Sequence, residues 1–222
     1  MAKTSLVIFD LDGTLLDTVE DLGNAVNYAL KGLGYAQHPI SAYYQMVGRG
    51  IYNLFRKALP PEAVNEENVQ KMAERFLPYY GAHNCDYTRP YAGITEVLEH
   101  LHAHGIHLAI ASNKYQEGTE HLVDHFFGHL PFTAILGQRE GFPIKPDPGI
   151  VDLAASQLPG IDRGQIVYVG DSDVDMQTGR NAGVTTIGVT WGFRSRQELE
   201  NGAPWKIVDT VWQLENALLA ER

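Results

Sequence analysis

The sequence predicts an α/β fold: a Rossmann-like, doubly wound parallel sheet core with an inserted small all-helical domain. Three observations predict it. Short, near-continuous apolar runs alternate with helix-period stretches along most of the 222 residues, the pattern of strands buried on both faces. Strands separated by helices build a parallel sheet wound on both sides. Residues 17–83 break that alternation and carry helical patterns only.

The elements follow in order. Leu6–Phe9 is the first strand. The helical interval then shows patterns over Val19–Leu33, Tyr43–Val47, Ile51–Leu59 and Glu66–Tyr80. Gly34, Pro39, Gly48 with Gly50, and Pro60-Pro61 separate them, as glycine and proline punctuate helices. Alternation resumes near Arg89–Gly93. A helix over 93–104 stops at Gly105, and Ile106–Ala111 is the second strand. A helix over 116–127, a short strand at Ala134–Leu136 and a helix over 147–158 come next. Ile166–Val169 is a strand, followed by a helix over 173–182 that Gly183 caps in the left-handed conformation. Thr185–Val189, the short Ile207-Val208 and a helix over 210–220 complete the pattern. The expected division is an α/β core of residues 1–16 and 84–222 and a helical domain of residues 17–83.

Composition bounds the function. With 17 Lys+Arg against 27 Asp+Glu the formal charge is −10. An acidic surface repels polyanions, so no nucleic-acid and no membrane partner is expected. Cys85 is the single cysteine, so an internal disulfide is excluded and a reducing compartment suits the chain. The apolar run after Lys3 ends at Asp10, too short for a signal-peptide core, and no run approaches a membrane span. Cytoplasmic residence is the expectation.

In an open parallel sheet, ligands bind beyond the carboxyl ends of the strands. Past the first strand lie Asp10-Leu11-Asp12-Gly13-Thr14, and past the second Ser112-Asn113-Lys114. After the third comes Lys145, and past the fourth Gly170-Asp171-Ser172-Asp173-Val174-Asp175. Asp10 and Asp171 would end neighbouring strands and face one crevice. Carboxylates crowded there raise one another's pKa, a conflict that a divalent cation resolves. All-oxygen ligands with few side chains suit Mg²⁺. With Lys145 and the Ser112 hydroxyl added, the set describes a phosphate site.

These segments, in this order, resemble the four motifs of the haloacid dehalogenase superfamily. Phe9-Asp10-Leu11-Asp12-Gly13-Thr14-Leu15 resembles the first, Ser112-Asn113 the second, Lys145-Pro146 the third, and Gly170-Asp171 with Asp175 the fourth. The helical insertion resembles the family's small cap. Val47-Gly48-Arg49-Gly50 and Gly188-Val189-Thr190-Trp191-Gly192 are similar to segments of its phosphoglycolate-phosphatase-like members. The resemblance implies Asp10 as nucleophile and Asp12 as general acid and base. It implies Mg²⁺ held by Asp10, the Asp12 carbonyl and Asp171, with Asp175 as a further ligand or acting through water. Gly13, Ser112, Asn113 and Lys145 would bind the phosphoryl group. True dehalogenases lack a carboxylate at the Asp12 position, so phosphoryl transfer is implied.

The implied activity is a phosphatase of a small phosphorylated metabolite, 2-phosphoglycolate first. A β-phosphoglucomutase-like mutase stays open, as do pyrophosphate, nucleotide and sugar phosphate substrates and a non-catalytic binding protein on the same fold. The expected state is a monomer or homodimer. Arg49 is either a clamp for a substrate carboxylate or a surface charge. The Asp171/Asp173/Asp175 spacing lacks the glycine and glutamate of a calcium loop, and Asp173 reads as a helix-start residue. His100/His104 and His121/His125 have helical metal-ligand spacing but read as solvated faces. Cys85 reads as inert, and Tyr43, Tyr44, Tyr52, Tyr79 and Tyr80 read as cap core and cap–core interface rather than substrate readers.

Overall fold

The computed structural model describes residues 3–220; residues 1, 2, 221 and 222 of the expected core lie outside the described residues. Eight strands occur among those described. β1 (Leu6–Phe9), β4 (His107–Tyr115), β5 (Phe132–Gln138), β6 (Ile166–Gly170), β7 (Thr185–Val189) and β8 (Lys206–Val208) form one sheet in the order β5-β4-β1-β6-β7-β8. Every pairing in it is parallel. β2 (Leu16–Asp17) and β3 (Arg89–Pro90) form a separate antiparallel ribbon.

The apolar runs are continuous because both faces of each inner strand are covered. Val7 and Phe9 of β1 join Val167 and Val169 of β6 in a cluster with α5 (Ile94–Ala103), α6 (Gln116–Phe127) and α10 (Val211–Leu219). Leu6, Ile8, Ile166 and Tyr168 point to the other face, against α7 (Gly149–Ser156) and α8 (Asp173–Ala182). Successive strand residues alternate between faces, and burial of each large apolar side chain contributes about 1.5–3 kcal/mol.

β1 is central, flanked by β4 and β6. The chain winds outward through β4 and β5, then crosses back to β6, so the carboxyl end of β1 lies at the switch point where such sheets bind ligands.

The interval after β2 is helical: α1 (Val19–Gly32), α2 (Ile40–Tyr43), α3 (Ile51–Ala58) and α4 (Glu66–His83). These helices carry an apolar cluster of their own, including Leu22, Val26, Tyr43, Phe55, Met72, Phe76 and Tyr80. The core contributes the buried Phe193 to it. The β2/β3 ribbon pairs Leu16 with Pro90 and Asp17 with Arg89, where the chain leaves the sheet and returns. Asp21 fixes that return: its buried carboxylate accepts the Thr88 N–H at 2.8 Å, the Thr88 hydroxyl at 2.7 Å and the Tyr87 N–H at 3.1 Å.

Several elements differ from expectation. The second helix of the insertion covers Ile40–Tyr43 rather than Tyr43–Val47, because Pro39 presets the residue before the first turn. α4 runs to His83, three residues past the expected end, and passes through Pro78. β4 continues from Ala111 to Tyr115, so Ser112, Asn113 and Lys114 belong to the strand rather than to a loop. α9 (Arg196–Asn201) was not anticipated; Ser195 and Glu198 form its capping box. No helix among the described residues is long and apolar enough to cross a membrane.

Candidate active site

Asp10 is the first residue beyond β1, and its N–H donates to Val169 O at 2.9 Å, tying it to β6. Asp171 is the first residue beyond β6, and Asp175 lies in the first turn of α8. Adjacency of β1 and β6 therefore brings the three carboxylates together: one oxygen from each lies within 4.8 Å of the others, and all three residues are buried. This is the one group with metal-ligand composition found among the described residues; the histidine pairs form none.

Each carboxylate has a distinct set of partners. Asp171 accepts the Phe193 N–H on Oδ2 at 2.6 Å and the Thr14 hydroxyl on Oδ1 at 3.2 Å. Asp175 is fully engaged. Its Oδ1 takes Lys145 Nζ at 2.8 Å and the Tyr168 hydroxyl at 3.3 Å, while Oδ2 takes the Ser172 N–H and hydroxyl at 3.1 and 2.5 Å. Asp10 meets Lys145 Nζ through Oδ1 at 2.9 Å. Asp175 is thus built chiefly to hold Lys145, and Asp10 and Asp171 keep the freer oxygens.

Electrostatics reflects the crowding. Burial, then the neighbouring Asp175, raises the Asp10 carboxyl well above the ordinary range; Lys145 opposes the rise and Asp171 adds to it. Burial and Asp175 push Asp171 up to about 7. Burial pulls Lys145 down, but Asp10 and Asp175 outweigh it and hold the ammonium well above its ordinary value. One lysine among three buried carboxylates leaves negative charge uncompensated, and the donors are all hard oxygen, so the residues fit a hard divalent cation.

This has a thermal consequence. The folded state keeps the Asp171 proton to higher pH than the unfolded chain, so its stabilising contribution is full below the ordinary carboxylate range. It is lost as pH rises through about 7. Without divalent cations, Tm should fall by roughly 5 °C or more between about pH 5 and about pH 8. A divalent cation should restore it mainly at the higher pH. A flat profile without metal, followed by differential scanning fluorimetry, would contradict this.

Two glycines keep the cluster accessible. Gly13 has φ +87°, and a Cβ there would come within 2.5 Å of Asp171 Oδ2. A Cβ on Gly192 would lie 2.3 Å from both Asp171 Cβ and Gly13 O. Only glycine permits that approach.

Asp12 stands apart from the carboxylate group. Its Oδ1 accepts the Thr18 hydroxyl at 2.7 Å and pairs with Lys114 Nζ at 3.1 Å. Ser112 is buried, and its Oγ accepts the Lys114 N–H at 3.2 Å. Asn113 is a brace: Nδ2 donates to Gly48 O at 3.1 Å and Lys145 O at 3.2 Å, while Oδ1 accepts the Lys145 N–H at 2.8 Å.

Asp10, Asp12, Ser112, Asn113 and Lys114 form the polar wall of a cavity between sheet and insertion. Leu22, Val47, Gly48, Gly50, Ile51 and Leu54 form the opposite wall. Its space is about 30 Å³, far below the several hundred Å³ usual for small-molecule sites, so the insertion leaves little room above Asp10 and Asp12. Arg49 does not line it. Its guanidinium instead pairs with Asp173 of α8 at 2.9 Å, both side chains about half exposed.

Two contributors, Phe193 and Arg194, escape sequence reasoning, and two more, Lys114 and Tyr80, have no role at the site assigned from sequence. Tyr80 OH accepts from Lys114 Nζ at 2.9 Å. Arg194 donates to the carbonyls of Tyr44 and Val47 in the insertion. Phe193 places its N–H on Asp171 and its ring in the helical cluster, edge-on to Tyr44.

Comparison with known proteins finds relatives along nearly the whole chain. The profile of the haloacid dehalogenase-like hydrolases matches residues 7–189. A phosphoglycolate phosphatase of Pseudomonas fluorescens is 32% identical over 213 residues, 94% of this chain and 78% of its own. One from Haemophilus influenzae is 31% identical over 220 residues, 96% of this chain and 97% of its own. A solved structure from Lactobacillus delbrueckii subsp. bulgaricus superposes with a TM-score of 0.91 at 35% identity, over 99% of this chain and all of that one.

Proposed function

The chain belongs to the haloacid dehalogenase-like hydrolase family, and from that premise we propose that it is a Mg²⁺-dependent, cytoplasmic phosphatase of a small phosphate monoester, 2-phosphoglycolate foremost. The observation that carries the reading is the buried cluster of Asp10, Asp171 and Asp175 with Lys145 set against two of the three. Phosphoryl chemistry needs a nucleophile, concentrated positive charge and positioned donors around the phosphorus.

Asp10 is the nucleophile, its Oδ2 attacking phosphorus while Lys145 holds Oδ1. The leaving oxygen takes a proton from Asp12, which then accepts one from the water that releases phosphate. Thr18 and Lys114 both engage Asp12 Oδ1, leaving Oδ2 for proton transfer. Ser112 and Lys145 bind phosphoryl oxygens, with backbone amides beside Leu11 and Asn113. Asn113 fixes the Lys145 backbone through two hydrogen bonds, so the ammonium stays at its post. Asp10, the Asp12 carbonyl and Asp171 would hold Mg²⁺, and Asp175 orients Lys145. When bound, the ion supplies the positive charge that keeps Asp10 ionised.

Residues 17–83 act as a cap. Its wall over the cavity is apolar and excludes bulk water during transfer, and opening at the β2/β3 ribbon admits substrate. The same wall disfavours the mutase alternative. Leu22, Val47, Ile51 and Leu54 have no side-chain donor or acceptor, and sugar hydroxyls buried against them would lose their hydrogen bonds.

A panel of phosphate esters tests the reading. Phosphate release from 2-phosphoglycolate should require Mg²⁺ and fall at least about 100-fold in chelator. Unchanged release in chelator, or conversion of a sugar phosphate to its isomer without free phosphate, would sink it.

A further inference from the structure

We infer that Lys114 is a specificity-determining residue: its ammonium receives a carboxylate on the alcohol part of the substrate, so the preferred esters are small phosphorylated hydroxy acids. The inference rests on the phosphatase reading and names the residue behind its substrate class.

Two lysines are buried at the site, and they differ in what they leave available. Lys145 Nζ contacts Asp10, Asp175, Ala111 O and Tyr168 OH, all within 3.1 Å. Those four partners exceed its three N–H donors, so a phosphoryl oxygen reaches it only by replacing one of them, and it does not line the cavity. Lys114 lines the cavity and is only 4% exposed. Its ammonium meets Asp12 Oδ1 at 3.1 Å and Tyr80 OH at 2.9 Å, with the Tyr80 ring centroid 4.8 Å away. An ammonium has three N–H donors, so one is left for a ligand.

Position decides which ligand. Lys114 touches Asp12, the residue assigned to protonate the leaving oxygen, so it stands on the leaving-group side of phosphorus. In a phosphorylated 2-hydroxy acid the carboxylate carbon is two bonds from that oxygen, within reach of the same ammonium. A carboxylate buried against the apolar wall of this cavity requires a cation, and Lys114 is the one cationic residue lining it among the described residues. Arg49, the other candidate from the sequence, is turned to Asp173. The start of α3 adds to the case: Gly50 and Ile51 line the cavity, and a helix N-terminus favours an anion.

The test compares 2-phosphoglycolate with its uncharged isostere, the phosphate ester of glycolamide, at saturating Mg²⁺. Wild type should prefer the carboxylate. Lys114→Met should shrink the ratio of the two kcat/KM values at least about tenfold, chiefly through KM, and Lys114→Arg should recover part of it. Wild type alone gives a second readout that no folding defect can spoil: glycolate should inhibit at least about tenfold more tightly than glycolamide. An equal loss on both esters in Lys114→Met would mean that the lysine only supports Asp12 and would overturn the inference. So would equal inhibition of wild type by the two product analogues. Hydrolysis of no phosphate ester by wild type would overturn the phosphatase reading itself, an outcome distinguishable from the other two.

Discussion

Asp10→Asn should lower kcat for phosphate release by about 10⁴-fold or more, as loss of a nucleophile does, while the protein stays folded. Both halves follow from one geometry. The Asp10 carboxyl is raised by burial and by Asp175 and Asp171, so its ionised form is strained without a cation and a neutral amide of the same shape fits the site. Tm in the absence of metal should therefore hold or rise. Steady-state kinetics and a melting curve on one preparation check the pair. Residual activity within tenfold of wild type would remove Asp10 from the mechanism. Inactivity with a large fall in Tm would leave the loss attributable to unfolding.

Lys145→Met is expected to damage both activity and stability. The side chain is 2% exposed, and its ammonium lies 2.9 Å from Asp10 and 2.8 Å from Asp175. Its removal strands two buried carboxylates, and breaking a buried pair in that way costs about 3–5 kcal/mol. For a chain of this length that is a fall in Tm of roughly 10 °C. Turnover should drop by about 10³-fold or more, because the cation that holds Asp10 and the phosphoryl oxygens is gone. The Asp175 hydrogen bonds to Ser172 remain as a second anchor for α8, so the fold should survive at low temperature. A Tm within about 2 °C of wild type would show that Lys145 is not the counter-charge described.

The parallel sheet was legible because its strands are buried on both faces: Leu6–Phe9 and Ile166–Val169 read as unbroken apolar runs for that reason. Asp10 and Asp171 were legible because both sit one residue past such a run. What stayed hidden depends on contacts between distant segments. Lys114 looked like loop because the apolar run ends at Ala111, whereas pairing with β5 carries β4 on to Tyr115. Its partner Tyr80 comes from a helix 34 residues upstream. Asp175 pairs with a lysine 30 residues away, so no local pattern separates that role from metal ligation. Arg49 sits in a glycine-flanked turn that fits a substrate contact equally well, and only tertiary structure turns it to Asp173. The β2/β3 ribbon, two residues on each side, is too short for any periodicity. By contrast, the S-x-x-E pattern at Ser195–Glu198 carried a usable local signal for α9.

Phe193 and Arg194 link the two functional halves. One residue gives its N–H to Asp171 and its ring to the helical cluster, and the next clasps two carbonyls of the insertion. Occupation of the carboxylate site and the position of the helices above it therefore share a continuous piece of chain.

Covalent catalysis by Asp10 can be observed by rapid quench of Asp12→Asn with p-nitrophenyl phosphate and Mg²⁺. Nitrophenolate leaves without a proton, so the first step survives in this variant, while release of phosphate needs the missing base. A burst of nitrophenolate approaching one per active site is expected, with acid-quenched protein carrying one phosphoryl group on the peptide that contains Asp10. Nitrophenolate and phosphate appearing together with no burst, or the phosphoryl group on any other residue, would contradict it.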